Sequence, residues 1–347
     1  MLDLNPNWTP PPNWREMQTI DAHTGGEPLR VFLDGWPKLP GDTILARRRY
    51  AMEHYDHLRT ATMWEPRGHA DMYGCIITPP VTEDGHFGVL FLHNEGFSTM
   101  CGHGIIAVVT VALETGMMPP TGRETRVKID TPAGRVSAVA TLENHRVSAV
   151  RFRNVPSFVL SKNQVVELPG LGPVQYDIAF GGAFYAFVEA APLGLTMAPE
   201  EFQKMIRLGM DIKRAVMAAH PIEHPDTDDA DLNFLYGTIF TGAPLGEEAH
   251  SRNVCIFAEG EVDRSPTGTG VSARMALHYA RGELALGETM IIESIVGSRF
   301  EGKAVAETRC GNLPAVIPEV SGSAHITGIH RFLIDPEDPF RNGFILR

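Results

Sequence analysis

Basic residues are in short supply: 30 Lys plus Arg stand against 42 Asp plus Glu, a formal charge of −12 spread along the chain rather than clustered. A surface that neutralises a phosphate backbone is not expected, so nucleic acid drops out as a partner. Cysteine is scarcer still, with Cys75, Cys101, Cys255 and Cys310 alone in 347 residues. They form no CxxC pair and no dense framework, so reduced thiols are expected rather than a disulfide scaffold or a structural zinc site. Long apolar runs are missing as well. The longest, 105–113 and 289–296, fall well short of the ~20 residues that span a bilayer. The proline-rich N-terminus, MLDLNPNWTPPPNW, has neither a basic segment nor an apolar core of a secretory signal, so a cytoplasmic protein without membrane attachment is expected. What is present is ordinary for a packed protein: 43% hydrophobic and 21% charged residues, in a length that suggests about two domains.

The two domains are visible as a repeat. Cys101-Gly-His-Gly-Ile-Ile-Ala aligns without gaps on Thr267-Gly-Thr-Gly-Val-Ser-Ala, and Gly102, Gly104, Ala107 and Gly116 recur 166 positions later as Gly268, Gly270, Ala273 and Gly282. Upstream of each motif runs an apolar segment, 88–93 and 253–258. Downstream run 126–136 and 290–300, each a predicted strand. Each half therefore reads as strand, glycine turn, helix, strand, with helices over 104–114 and 270–281 that end in glycine. Elsewhere β composition dominates, at 147–152, 183–189 and 236–241. The clearest further helix is 199–219, opened by Pro199 with Glu200 and Glu201 in its first turn. The halves are expected to divide at 1–152 and 153–347, with the C-terminal tail free to pack back on the first, and 226–231 as a surface loop.

If each glycine motif opens a helix, its free backbone N–H groups and positive dipole end suit an anion, and two such ends can face one carboxylate. Cys101 stands at the first helix start, where a thiol's pKa of ~8.5 is expected to fall, making a thiolate available as base or nucleophile. The equivalent position holds Thr267, whose hydroxyl can orient a partner but is too weak an acid to replace a thiol. The blander reading of Cys101 is a small buried hydrophobe, which is also the reading for Cys75, Cys255 and Cys310. His103 reads equally as a site residue or a solvent-facing turn residue. Asp263 is a candidate to hold a substrate ammonium, or an ordinary helix-entry carboxylate. The fourteen histidines are scattered, with no HxH or HExxH pattern, so no metal site is expected. Both glycine motifs also satisfy the permissive dinucleotide fingerprint. However, Asp263-Arg-Ser-Pro-Thr and Glu95-Gly-Phe-Ser-Thr-Met intervene where a strand should lead straight into the first glycine.

At these residues the chain resembles the proline racemase family, which includes proline racemases, 4-hydroxyproline 2-epimerases and trans-3-hydroxy-L-proline dehydratases. The resemblance runs through Asp21-Ala-His-Thr-Gly-Gly-Glu-Pro, Met100-Cys-Gly-His-Gly, Gly181-Gly-Ala-Phe-Tyr, Asp263-Arg-Ser-Pro-Thr-Gly-Thr-Gly and Asp335-Pro-Glu-Asp-Pro-Phe, nearly the whole chain. It implies an α+β fold like that of diaminopimelate epimerase: two pseudo-symmetric domains, each wrapping strands around a central helix, with the active site between them. It also implies Cys101 as the catalytic base opposite Thr267. Gly102, His103, Asp263, Gly268 and Thr269 match positions that bind the amino acid. In the racemases and epimerases both helix starts carry cysteine. Threonine in the second place resembles the dehydratases, which implies a cofactor-independent hydro-lyase acting on hydroxyproline by α-proton abstraction. A racemase or 4-hydroxyproline 2-epimerase is the alternative, and a non-catalytic amino-acid-binding protein the outsider. Methionine and phenylalanine are numerous enough to allow a homodimer.

Overall fold

The computed structural model describes residues 8–227 and 231–346. The first half opens with the hairpin β1 (Arg15–Thr24) and β2 (Glu27–Asp34), followed by α1 (Ile44–Met63) and β3 (Tyr73–Thr78), which lies parallel to β2. Next come β4 (Phe87–His93), the two-residue β5 (Phe97–Ser98) and α2 (Gly102–Glu114). The antiparallel run β6 (Glu124–Thr131), β7 (Gly134–Glu143) and β8 (Arg146–Arg153) ends the half. The second half repeats the order. β9 (Ser157–Leu168), β10 (Gly172–Phe180) and β11 (Phe184–Glu189) precede α3 (Phe202–Ala219). Then follow β12 (Leu235–Gly242), β13 (Ser251–Phe257), β14 (Glu261–Val262), α4 (Gly268–Ala280), β15 (Met290–Glu293), β16 (Arg299–Cys310) and β17 (Leu313–Gly322). The last strand, β18 (Ala324–Ile334), returns to the first half and pairs antiparallel with the whole of β1. β17 joins the halves by pairing with both β8 and β9.

The matched connections extend to single hydrogen bonds. β6 lies parallel to β4, and β15 parallel to β13. The His86 ring accepts from the Lys128 N–H at 2.9 Å, and the His250 ring from the Ile291 N–H at 3.0 Å. Asp130 holds the Val81 and Thr82 N–H groups and Arg135, while Glu293 holds the Leu245 and Gly246 N–H groups and Arg299.

α2 is apolar on every side, as a helix surrounded by strands must be, and Gly102 to Leu113 are all buried. It packs on β1, β2, β8 and β18; α4 packs on β9, β10, β16 and β17. This is the α+β architecture of strands wrapped around two central helices. The helices start at Gly102 and Gly268, two residues before the positions expected from sequence. A 3-10 turn over Pro199–Glu201 precedes α3 inside the expected 199–219 segment. The 226–231 stretch lies partly outside the described residues.

α1 was not expected, and its composition explains why. Its inward face sets Arg48 and Arg59 among Ile44, Ala51, Leu58, Ala61 and Met63, so the apolar stripe is broken by charge. Arg48 donates to the Phe97 carbonyl and Arg59 to the His93 carbonyl, so the helix is bound to the β4–β5 turn by buried polar contacts that a hydropathy pattern does not register. Thr43 caps its start by accepting from the Ala46 N–H at 3.0 Å.

Candidate active site

The first turns of α2 and α4 meet backbone to backbone. A methyl built on Gly102 would lie 2.5 Å from the Gly268 Cα, and one built on Gly268 would lie 2.7 Å from the Gly102 Cα. Both contacts are far inside the ~3.5–4.0 Å of relaxed carbon atoms, so only glycine allows this approach. The meeting brings two sets of free helix N–H groups to one place, the arrangement suited to a carboxylate.

Cys101 caps α2 from an extended backbone, and its Sγ accepts from the Gly104 N–H at 3.2 Å. The His103 Nδ1 lies 3.2 Å from the same sulfur. Thr267 holds the equivalent place before α4 with φ 66° and ψ 96°, a conformation rarely adopted by a β-branched residue. Its N–H donates to the Ser265 Oγ at 3.1 Å, and among the described residues its own buried Oγ1 has no close hydrogen-bond partner, with the Cys255 thiol nearby. Asp263 accepts from the Ser265 N–H at 2.7 Å. The Thr269 hydroxyl lies 2.7 Å from that of Tyr185.

All seven residues singled out from sequence, Cys101, Gly102, His103, Asp263, Thr267, Gly268 and Thr269, line one cavity between the helix starts. His103 is buried there at 4% exposure, which removes the solvent-facing reading. The cavity measures about 20 Å³, room for a single water, so a five-membered ring enters only if the surrounding elements part. A larger cleft of about 530 Å³ lies beside Asp177, Arg274 and Arg281 but touches neither helix start nor any thiol.

Three tyrosines went unrecognised in the sequence. Tyr73, Tyr185 and Tyr236 line the same cavity. The signal was there: Tyr185 closes the Gly181 motif, and a Tyr-Gly pair opens both Tyr73-Gly74 and Tyr236-Gly237, at matching places on β3 and β12. Cys255 is a core residue as expected, fully buried in the main apolar cluster, and it also lines the cavity.

Electrostatics run against one expectation. The Cys101 thiol is pushed well above its usual range, because burial outweighs the Gly104 N–H and the nearby Tyr73 hydroxyl, and the neighbouring Asp263 and Glu27 carboxyl groups add to the rise. The helix end favours the thiolate, but in this closed cavity it does not win. Burial lowers the His103 pKa and keeps the ring neutral. Glu27, wholly buried with its Oε2 accepting from the Arg264 N–H at 2.7 Å, is raised well above the carboxylate range by burial and by Asp263. Among the described residues no group of three or more His, Cys, Asp or Glu side chains is placed to hold a metal ion, and no helix is long and apolar enough to cross a membrane.

Residues 19–345 match the family described as Proline racemase. The chain is 50% identical over 331 residues to a trans-3-hydroxy-L-proline dehydratase of Colwellia psychrerythraea, covering 95% of this chain and 93% of that one. It is 47% identical over 333 residues to a 3-hydroxyproline 2-epimerase of Burkholderia multivorans, with 96% and 99% covered. Among solved structures, a hydroxyproline epimerase from Agrobacterium vitis with bound trans-4-OH-L-proline superposes with a TM-score of 0.90 at 32% identity, over 96% of each chain. With its two-helix architecture, its paired glycine turns and a match that runs almost from end to end, the chain belongs to the proline racemase family.

Proposed function

We propose that this protein is a trans-3-hydroxy-L-proline dehydratase, a hydro-lyase. The observation that carries the reading is the unequal pair of helix starts: a thiol at Cys101 and a threonine at Thr267, facing one cavity. The substrate carboxylate fits the N–H groups of the two helix starts, whose dipoles stabilise the charge that develops on it as the α-proton leaves. Asp263 is suited to the ring nitrogen, whose positive charge also favours a thiolate at Cys101 and so offsets the effect of burial. Cys101 Sγ takes the proton from Cα. The opposite helix start offers no thiol to return a proton to the other face. The electron pair instead forms the C2–C3 double bond as the 3-hydroxyl departs, and the product tautomerises to Δ1-pyrroline-2-carboxylate.

Inversion at C2 of 3-hydroxyproline is the second reading, and Cys255 favours it. This second thiol lines the cavity from the Thr267 half, and burial keeps it protonated. Both readings share the Cys101 step and separate at the product. Purified protein given trans-3-hydroxy-L-proline is expected to form a cyclic imine detectable with o-aminobenzaldehyde, a signal lost in Cys101→Ser. Inverted 3-hydroxyproline on chiral chromatography, without imine, would replace the dehydratase reading with the epimerase.

A further inference from the structure

The word trans in the proposed substrate fixes a stereochemical constraint. At C2 of the ring the carboxylate and the α-hydrogen occupy opposite faces, so a 3-hydroxyl trans to the carboxylate shares a face with the α-hydrogen. The elimination is syn. The base and the group that protonates the departing oxygen therefore stand on the same side of the ring, the side of Cys101, and Thr267 is on the wrong side to assist.

On that side the first half contributes three proton-bearing side chains to the cavity: Cys101, His103 and Tyr73. His103 is neutral and its ring hydrogen bonds to the Pro28 backbone. Tyr73 is differently placed. It opens β3, its ring is stacked on His93 at 5.5 Å and set edge-on to His103 at 4.8 Å, and it is 3% exposed. Its hydroxyl lies 2.5 Å from the Ser98 Oγ and 3.3 Å from the hydroxyl of Tyr236. It also lies near enough to the Cys101 sulfur to favour the thiolate. The ring is thus fixed by packing on both sides, and its hydroxyl is held between Ser98 and Tyr236 in the wall of the cavity that Cys101 also lines.

Resting on the dehydratase reading, we propose that Tyr73 is the general acid that protonates the leaving 3-hydroxyl. The step balances without a further reactant. The Cα–H bond breaks toward the Cys101 thiolate, its electrons become the C2–C3 π bond, and the C3–O bond breaks as oxygen takes the Tyr73 proton and leaves as water. The Cys101 thiol then returns its new proton to the Tyr73 phenolate, resetting both groups. A phenol is a much stronger acid than water, so it is a competent donor to an oxygen that would otherwise leave as hydroxide. Burial raises the Tyr73 pKa further and keeps the proton in place until the oxygen departs.

The test separates acid help from everything else by changing the leaving group. Fluoride leaves without a proton, so trans-3-fluoro-L-proline needs the base alone. Tyr73→Phe is expected to lose about 10²-fold or more of imine formation from trans-3-hydroxy-L-proline. Its release of fluoride from the fluoro analogue should fall by no more than about tenfold, the share owed to the support that the Tyr73 hydroxyl gives the Cys101 thiolate. Parallel loss of both reactions overturns the acid role and leaves Tyr73 a packing residue. Retention of both overturns it in favour of Cys101 recycling its own proton. Wild-type protein that forms no imine refutes the dehydratase reading itself, a result separate from either Tyr73 outcome.

Discussion

Gly102→Ala tests whether the contact of the two helix starts sets the catalytic geometry. The added methyl would stand 2.5 Å from the Gly268 Cα and 2.9 Å from the Gly268 carbonyl carbon. Carbon atoms at rest keep ~3.5–4.0 Å, so the helix starts must part by about 1 Å. Both close neighbours are backbone, so no side chain can swing aside. Overpacking of this kind costs about 1–3 kcal/mol, which in a chain this long lowers Tm by a few degrees. Catalysis is hit harder, because a displacement of about 1 Å between base and substrate costs on the order of 10²-fold in rate. The assay is the initial rate of imine formation beside a thermal melt. Gly96→Ala is the control, since a methyl there meets nothing within 4 Å. If Gly102→Ala kept a rate within about threefold of wild type and an unchanged melt, the close approach would not position the chemistry, and the reasoning would fail.

Asp263→Asn is expected to raise KM by at least about tenfold, through loss of a charged partner for the ring nitrogen. Because Asp263 also raises the Cys101 pKa, the alkaline rise of kcat/KM should move to lower pH in the same variant, which a pH–rate profile reads directly. Glu27 has a folded pKa raised above its unfolded value, so it lowers stability progressively as pH climbs from its unfolded value of ~4.3 toward the folded one. The gain in Tm of Glu27→Gln over wild type should therefore be larger near about pH 8 than near about pH 5, and an equal difference at both would remove Glu27 as the titrating group. Thr267→Cys is expected to gain inversion at C2 of proline or 4-hydroxyproline, seen on chiral chromatography, while losing part of its dehydration rate.

The duplication was legible from four small residues because glycine and alanine are dictated by close backbone approach, as Gly102 and Gly268 show. Its stronger evidence, the His86 and His250 rings each bonded to one matched strand, was equally present in the sequence. It went unread because a histidine announces no particular partner. α1 stayed hidden for a related reason: Arg48 and Arg59 look like solvated charges until the carbonyls they bind are known. Both helix-start positions could be placed by motif. Tyr73, Tyr185 and Tyr236 were harder to place, since their short motifs do not say that three strands separated by long stretches of chain converge on one cavity. The direction of the Cys101 pKa was missed because a helix end is a local feature visible in sequence, whereas complete burial is a property of the assembled halves.

The two halves give the same scaffold to unequal side chains, and the inequality reaches the backbone. Cys101 caps its helix at φ −144° with the sulfur on the Gly104 N–H; Thr267 holds φ 66° and makes no such bond. A β-branched residue at positive φ costs about 1–3 kcal/mol and persists only when neighbours impose it. Here the Ser265 Oγ accepts from the Thr267 N–H, the Val271 N–H donates to the Thr267 carbonyl at 2.7 Å, and the Asn253 side-chain amide donates to the Pro266 carbonyl at 2.9 Å. A cysteine substituted for Thr267 inherits this turn, so its thiolate starts without the N–H bond that supports Cys101. A charge-assisted bond of that kind is worth about 1.5–3 kcal/mol, or about ten- to a hundredfold in rate. Inversion by Thr267→Cys should therefore run slower than wild-type dehydration by about that factor. Inversion as fast as wild-type dehydration would mean that the turn resets itself, and that the side chain alone, not the backbone beneath it, decides which reaction the site performs.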